Sequence, residues 1–195
     1  MIVNADVYQT AELALRARLG DSAFAHCNRV AMMAAALAET YGEDVELARL
    51  AGLLHDWDRD LDDEALLERA HQLGIAVTDI DLRRPYLLHA KTAAADLARA
   101  FPGLPQEVIS AVRNHTVGAP DMSELDKVVF LADSLEPARH YGNVAEVRDL
   151  VGQVDLDELF VRTYRMSLMR IVDRRRWIHP ETVAVWNALV AKERR

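Results

Sequence analysis

Cysteine is nearly absent from this chain: Cys27 stands alone among 195 residues, so no internal disulfide can form. That usage fits a reducing cytoplasm, which is the expected location. Glycine (8) and proline (6) are also scarce, a balance that favours helices. No uninterrupted apolar run is long enough to cross a bilayer. The start, Met1-Ile-Val-Asn-Ala-Asp6, lacks the basic region and apolar stretch of a signal peptide. Basic charge is in deficit, with 23 Lys and Arg against 31 Asp and Glu, a formal net charge of −8. Such a chain is a poor candidate for generic binding of nucleic acid, which needs basic surface. It can still act on a phosphate-bearing small molecule where metal ions and a few arginines make the site locally positive.

What is present is an ordinary globular balance, 51% apolar and 28% charged residues. The length suits one domain over residues 1–195, with a core of about 15–190. The apolar spacing predicts helices near 4–18, from Asp21 or Ser22 to Tyr41, over 43–57, and from Asp62 or Asp63 to Gly74. Residues 75–84 read as a loop. Pro85 and Pro105 open helices ending near Phe101 and His115, and Ser123 caps one that runs through Leu135. Longer helices follow near 155–174 and 180–193. Alternating strand patterns are few, so the fold class is all-α.

The dipeptide His55–Asp56 ends the apolar run Ala51-Gly-Leu-Leu54. An imidazole and a carboxylate beside a core are costly unless paired or metal-bound. Neighbouring helical residues point about 100° apart, so this pair straddles one edge of its helix and needs further ligands from elsewhere. His26 and Asp133, the latter again at the end of an apolar run, are placed to supply them. His89 and His115 could hold a second ion, with Asp56 bridging. Mixed imidazole and carboxylate ligands suit iron, manganese or zinc better than calcium. Two such ions about 4 Å apart can activate water and neutralise charge on a phosphoryl group. Any one of these histidines alone is more often a hydrogen-bonded core residue; the ordered set carries the reading.

The order His…His-Asp…Asp resembles that of the HD-domain metal-dependent phosphohydrolases. The segments Phe24-Ala-His-Cys-Asn-Arg-Val30, Ala48-Arg-Leu-Ala-Gly-Leu-Leu-His-Asp56, Leu87-Leu-His89, Asn114-His-Thr116 and Leu125 to Arg139 are similar to the YqeK-type branch, over roughly residues 15–190. The pattern Ala-Asp-x-x-Glu-Pro-x-Arg in the last segment is the most specific. The resemblance implies an HD-domain helical bundle and symmetrical hydrolysis of diadenosine tetraphosphate to two ADP. It also implies two divalent ions, iron first, with manganese or zinc as alternatives. Carried over, His26, His55, Asp56 and Asp133 hold one ion, and His89 and His115 the other, with Asp56 shared. Ala23 stands where the family usually has arginine, Arg59 where lysine is usual, and Ala90 where glycine is common. Ala23 bears on substrate affinity rather than on the ligands.

Arg59, one turn beyond His55, reads as a phosphate contact through paired guanidinium hydrogen bonds, or as a partner of Asp58 or Asp62. The resemblance makes Arg139 a second phosphate contact, against helix-end pairing. Thr116 is a phosphate donor or a loop cap. Asp56, Asp133 and Arg59 form the catalytic set, Asp133 being a candidate to handle the proton. Asp126 and Lys127 are supporting groups or a solvated face. Trp57 reads as core rather than an adenine stack, and Met32, Met33, Met166 and Met169 as core filler. Arg174-Arg-Arg176 reads as helix-end charge, and His71, His140 and His179 as surface or capping residues. The expected partner is a dinucleoside polyphosphate or other nucleotide, with neither nucleic acid nor membrane and a homodimer left open. The rivals are an HD phosphohydrolase for another nucleotide or cyclic nucleotide, which the 132–139 pattern argues against, and a non-catalytic nucleotide-binding HD module, which the intact ligand set argues against.

Overall fold

A computed structural model describes residues 5–193. No strand occurs among them. Eleven helices run in order: α1 (Ala5–Arg18), α2 (Asp21–Tyr41), α3 (Val45–Leu54), α4 (Asp63–Gln72), α5 (Asp79–Arg83), α6 (His89–Ala100), α7 (Gln106–Asn114), α8 (Glu124–Leu135), α9 (Val144–Arg148), α10 (Leu156–Asp173) and α11 (Pro180–Glu193). A 3-10 turn, Pro85–Leu88, leads directly into α6. Position 4, where the first helix was expected to begin, lies outside the described residues.

Local chemistry sets most of these boundaries. Gly42 donates its N–H to Ala38 O as a last helical bond, and its φ of 79°, which costs glycine little, turns the chain out of α2. The side chains of Asp44, Asp62 and Asp155 accept the free N–H groups that open α3, α4 and α10. Ser123 and Asp126 form a capping box at α8, as the serine predicts. Two helices depart from expectation. The loop over 75–84 contains α5, opened by a capping box between Thr78 and Asp81. Between α8 and α10 lies the short α9, which the sequence pattern did not mark. The helix expected over 43–57 stops at Leu54, so His55–Asp56 fall in the turn just beyond it.

α3 is the central element. Its residues Ala48, Leu50, Ala51, Gly52, Leu53 and Leu54 are all buried, so from its second turn it is apolar almost all round. Each buried leucine contributes about 1.5–3 kcal/mol relative to an exposed one. α2 lies along α3, with α7 and α8 on its other sides. The approach to α2 is close at Gly52, where an added Cβ would lie 3.0 Å from Ala31 Cα, Ala34 Cβ and Val30 O. α10 packs over α8, α9 joins both, and α11 rests on α10. One connected core runs from Ala11 to Val185.

The turn that follows α3 is tied down by charge. Arg18 donates to Trp57 O at 2.7 Å and pairs with the buried Asp58 at 2.5 Å. Asp96 accepts from Trp57 Nε1 at 2.8 Å and pairs with Arg69 at 3.0 Å. Trp57 is therefore core, buried against Phe101. Met166 is buried as expected, but Met32 and Met169 are 64% and 48% exposed and are not core filler. His179 is buried rather than on the surface, and its Nδ1 caps α11 by accepting from Glu181 N at 3.1 Å. Among the described residues no helix is long and apolar enough to cross a membrane.

Candidate metal centre

Three of the four central histidines stand at the end of a helical element. His55 is the C-cap of α3, His89 of the 3-10 turn and His115 of α7. Each directs Nδ1 at the carbonyl three residues back: His55 to Gly52 O at 2.8 Å, His89 to Tyr86 O at 2.6 Å, His115 to Val112 O at 2.7 Å. A carbonyl can only accept, so Nδ1 carries the proton in each ring. In the neutral imidazole the Nε2 lone pair is then left bare and aimed inward. His26 sits inside α2 and reaches the same end by another route, its Nδ1 facing Glu136 Oε1 at 3.3 Å.

The four Nε2 atoms converge on Asp56, which is fully buried. Its Oδ2 lies 3.2 Å from His55 Nε2 and 3.5 Å from His26 Nε2; its Oδ1 lies 3.2 Å from His89 Nε2 and 3.5 Å from His115 Nε2. One carboxylate thus offers one oxygen to each histidine pair. Asp133, in the last turn of α8, adds Oδ1 at 3.0 Å from His26 Nε2 and 3.8 Å from His55 Nε2. The ligand atoms of His26, His55 and Asp56, and those of Asp56, His89 and His115, form two compact groups, each within 4.8 Å.

The donor set fits divalent cations. His55 Nε2 and Asp56 Oδ1 are buried without a hydrogen-bond partner, a costly state that a bound ion removes. The C-terminal ends of α3, α7 and α8 also meet here, and their carbonyl ends favour positive charge. Burial alone would raise the Asp56 pKa, yet the rings of His55, His115 and His89, when they carry a second proton on Nε2, hold it well below the usual carboxylate range. Asp133 is likewise held far down, as His26 and Arg139 outweigh its burial. Both are ready anions. Cys27, beside His26, has its thiol pKa pushed up by burial and by the nearby Asp56 and Asp133, which makes it inert as a nucleophile.

The arginines sit over the carboxylates. Arg59 pairs with Asp56 Oδ2 at 2.9 Å, not with Asp58 or Asp62. Arg139 holds Asp133 Oδ1 in a very short pair, donates Nε to Asp133 O at 2.9 Å and comes within 3.3 Å of His26 Nε2. The Thr116 hydroxyl lies 3.0 Å from His115 Nε2 and 3.3 Å from His89 Nε2. These groups line a 460 Å³ cavity above the cluster, together with Tyr86, Arg170, Arg174 and Arg176. The Arg174–Arg176 run does follow the end of α10, but two of its three side chains also face this cavity.

Several contributors escaped the sequence reading. Glu136 is buried and accepts from Arg29 Nε at 2.8 Å and Ala138 N at 2.7 Å while fixing His26. Arg148 of α9 donates to the carbonyls of Leu135, Glu136 and Arg139 at 2.7–3.1 Å, setting the path of the segment that bears Glu136 and Arg139. Tyr86 tilts against His89, ring centroids 4.7 Å apart, and its hydroxyl pKa is pushed up to about 12 by burial and by Asp56. Asp126 is a supporting group: it accepts from Asn114 Nδ2 at 2.9 Å, beside His115. Lys127 turns away to Asp157 and Glu124. A carboxylate beside proline in the 132–139 pattern was the one visible signal for Glu136; Arg148 and Tyr86 had none.

Helices that end on histidines gathered round one shared carboxylate define an all-helical protein with two groups that could hold metal ions. The HD domain family matches residues 23–138, more than half of the chain, and the chain belongs to that family. It is similar to proteins named bis(5'-nucleosyl)-tetraphosphatase, symmetrical. The one from Halalkalibacterium halodurans is 28% identical over 92% of this chain and 95% of its own length. That from Bacillus subtilis is 27% identical over 91% of this chain and 94% of its own. A solved structure from Clostridium acetobutylicum, described as a predicted HD superfamily hydrolase involved in NAD metabolism, superposes with a TM-score of 0.86 at 32% identity. The match covers 95% of this chain and 97% of that one.

Proposed function

We propose that this protein is a single-domain metal-dependent phosphoanhydride hydrolase that cleaves diadenosine tetraphosphate symmetrically to two ADP. The observation that carries the reading is Asp56, a buried carboxylate with one oxygen turned to each histidine pair. The full-length similarity to proteins bearing that activity in their names supports the choice of substrate.

His26, His55, Asp56 and Asp133 would hold one divalent ion, and Asp56, His89 and His115 the other, with iron preferred and manganese or zinc as alternatives. Such ions supply an activated water and neutralise phosphoryl charge. The chain supplies the rest. Arg59 and Arg139, already over the carboxylates, bind phosphate oxygens and hold the polyphosphate across the cluster. Thr116 donates its hydroxyl to a phosphate oxygen from the histidine side. Asp133, kept strongly acidic, orients the attacking water by accepting its hydrogen bond. With Cys27 buried and inert, water remains the nucleophile and no covalent step is needed.

Product separation after incubation with diadenosine tetraphosphate and ferrous or manganous ion tests the reading. ADP as the sole nucleotide product is expected. Release of AMP with ATP, or no turnover, overturns it.

A further inference from the structure

The cavity over the cluster is one compartment of a longer track. Arg59 and Arg139 also line a 350 Å³ depression on the α2 side, with His26 and Arg29. On the other side Tyr141, Arg170 and Arg174 also line a 610 Å³ groove between α9 and α10. The track therefore crosses the histidines and continues well beyond them.

Arg162, Arg165, Arg170 and Arg174 line that groove against Glu146 and Asp173, so its charge is net positive. Arg59 and Arg139 are each paired with a carboxylate, whereas Arg165, Arg170 and Arg174 make no ion pair among the described residues. Burial lowers the Arg170 pKa, and Arg174, Arg139 and Arg176 lower it further, which reports guanidinium groups crowded into one field. In a chain of net charge −8, a groove whose lining is net positive and holds three arginines outside any ion pair marks an anion site.

The groove also has an apolar floor. Met166 and Met169, with Val147 and Leu150, line it. Met169 is 48% exposed, at a helical position that could have carried a polar side chain. Thioethers give a polarizable surface on which a flat ring packs well. The wall toward the metal ligands is fixed: Arg170 stacks on Tyr141 at 3.9 Å, and the Tyr141 hydroxyl donates to Ser134 O at 3.0 Å, next to Asp133.

We propose that the α9–α10 groove is the subsite for the far nucleotide of a dinucleoside polyphosphate. The base lies on Met166 and Met169, and the adjoining phosphates lie on Arg165, Arg170 and Arg174. The chain of phosphates then passes Tyr141 to reach the ligands. This deepens the functional reading above and rests on it. It also supplies a reason for cleavage in the middle, since the anchored far nucleotide sets which phosphorus reaches Asp56.

Arg165→Ala and Met169→Glu test the subsite, because both side chains are exposed and neither substitution threatens the core. In the metal-loaded protein each raises the KM for diadenosine tetraphosphate at least tenfold, the loss falling on KM rather than kcat. Calorimetric titration with ADP gives two equivalents per wild-type chain and one for Met169→Glu. An unchanged KM in both variants, with the wild type active on the dinucleotide, overturns the subsite alone. A single ADP per wild-type chain does the same. A wild type that does not turn over the dinucleotide overturns the functional reading, and the subsite with it. Arg165-dependent cleavage of a single-stranded RNA, with the dinucleotide KM unchanged, gives the groove to RNA and also overturns the proposal.

Discussion

His89 and His115 face each other Nε2 to Nε2 across 3.0 Å. Both Nδ1 atoms donate to backbone carbonyls, so in the neutral rings these are two bare lone pairs pointing at one another. Two nitrogens at right angles on an ion about 2.1 Å away would stand about 3 Å apart. The separation equals the one that two ligands of a single cation would show.

Metal content should therefore split by pair. His115→Ala is expected to bind one divalent ion per chain where the wild type binds two, as measured by elemental analysis after manganous loading and desalting. Asp56→Ala is expected to lose both. Chelation should lower the wild-type melting temperature by several degrees, since an ion at 100 times its dissociation constant adds about 2.7 kcal/mol to stability.

Glu136 offers a pH signature. Its carboxyl is held below the ordinary value despite burial, by Arg29, the Ala138 N–H and His26. A depressed carboxylate stabilises the fold above its unfolded value, about 4.3, and that gain is lost as pH falls through the folded value. Glu136→Gln should accordingly lie below the wild type in melting temperature at pH 6. The gap should close as pH drops toward 3. Melts from pH 3 to 7 in chelator check this, and a gap that stays constant would count against it.

Gly52→Ala should be destabilising by about 1–3 kcal/mol, because the new methyl meets α2 backbone at 3.0 Å and α2 must move. An alanine on an open helix face would stabilise instead. Urea unfolding of the metal-free protein reads the sign. The displacement also moves Gly52 O, the acceptor for His55, so metal affinity should fall with it.

Arg139→Ala is expected to lower kcat/KM for the dinucleotide about 10²–10³-fold, the range seen when an oriented donor to a developing anion is removed. Arg139→Lys should recover little, since one ammonium cannot replace a guanidinium that meets Asp133 through two nitrogens at once. Circular dichroism would show whether either variant retains its helices.

Much of this was legible in the chain. The six candidate ligand positions stood out because polar residues that end apolar runs need partners, and the fold brings all six together. Helix ends were legible where a single side chain makes the cap, as at Asp62 and Ser123. The Thr78–Asp81 box was equally local and was passed over because α5 is only five residues long. Arg148 acts on groups brought close only by the completed bundle, so no nearby pattern announces it, and the acid beside Pro137 marked Glu136 without showing that it reaches His26. Met169 and Arg174 share the helical period of core and cap residues; only the position of α9, itself unmarked, turns them into the walls of a groove.

Three imidazoles take their aim from the carbonyl three residues earlier, at the place where a helical element stops. Orientation is thus written into backbone length. An insertion of one residue between Gly52 and His55, or between Val112 and His115, would swing the ring about 100° round its axis and out of the cluster. Substitutions along the exposed face of α7, at Gln106, Glu107 or Arg113, leave that count untouched. Relatives can therefore drift far in composition and keep the centre, while a single-residue change in spacing would abolish it.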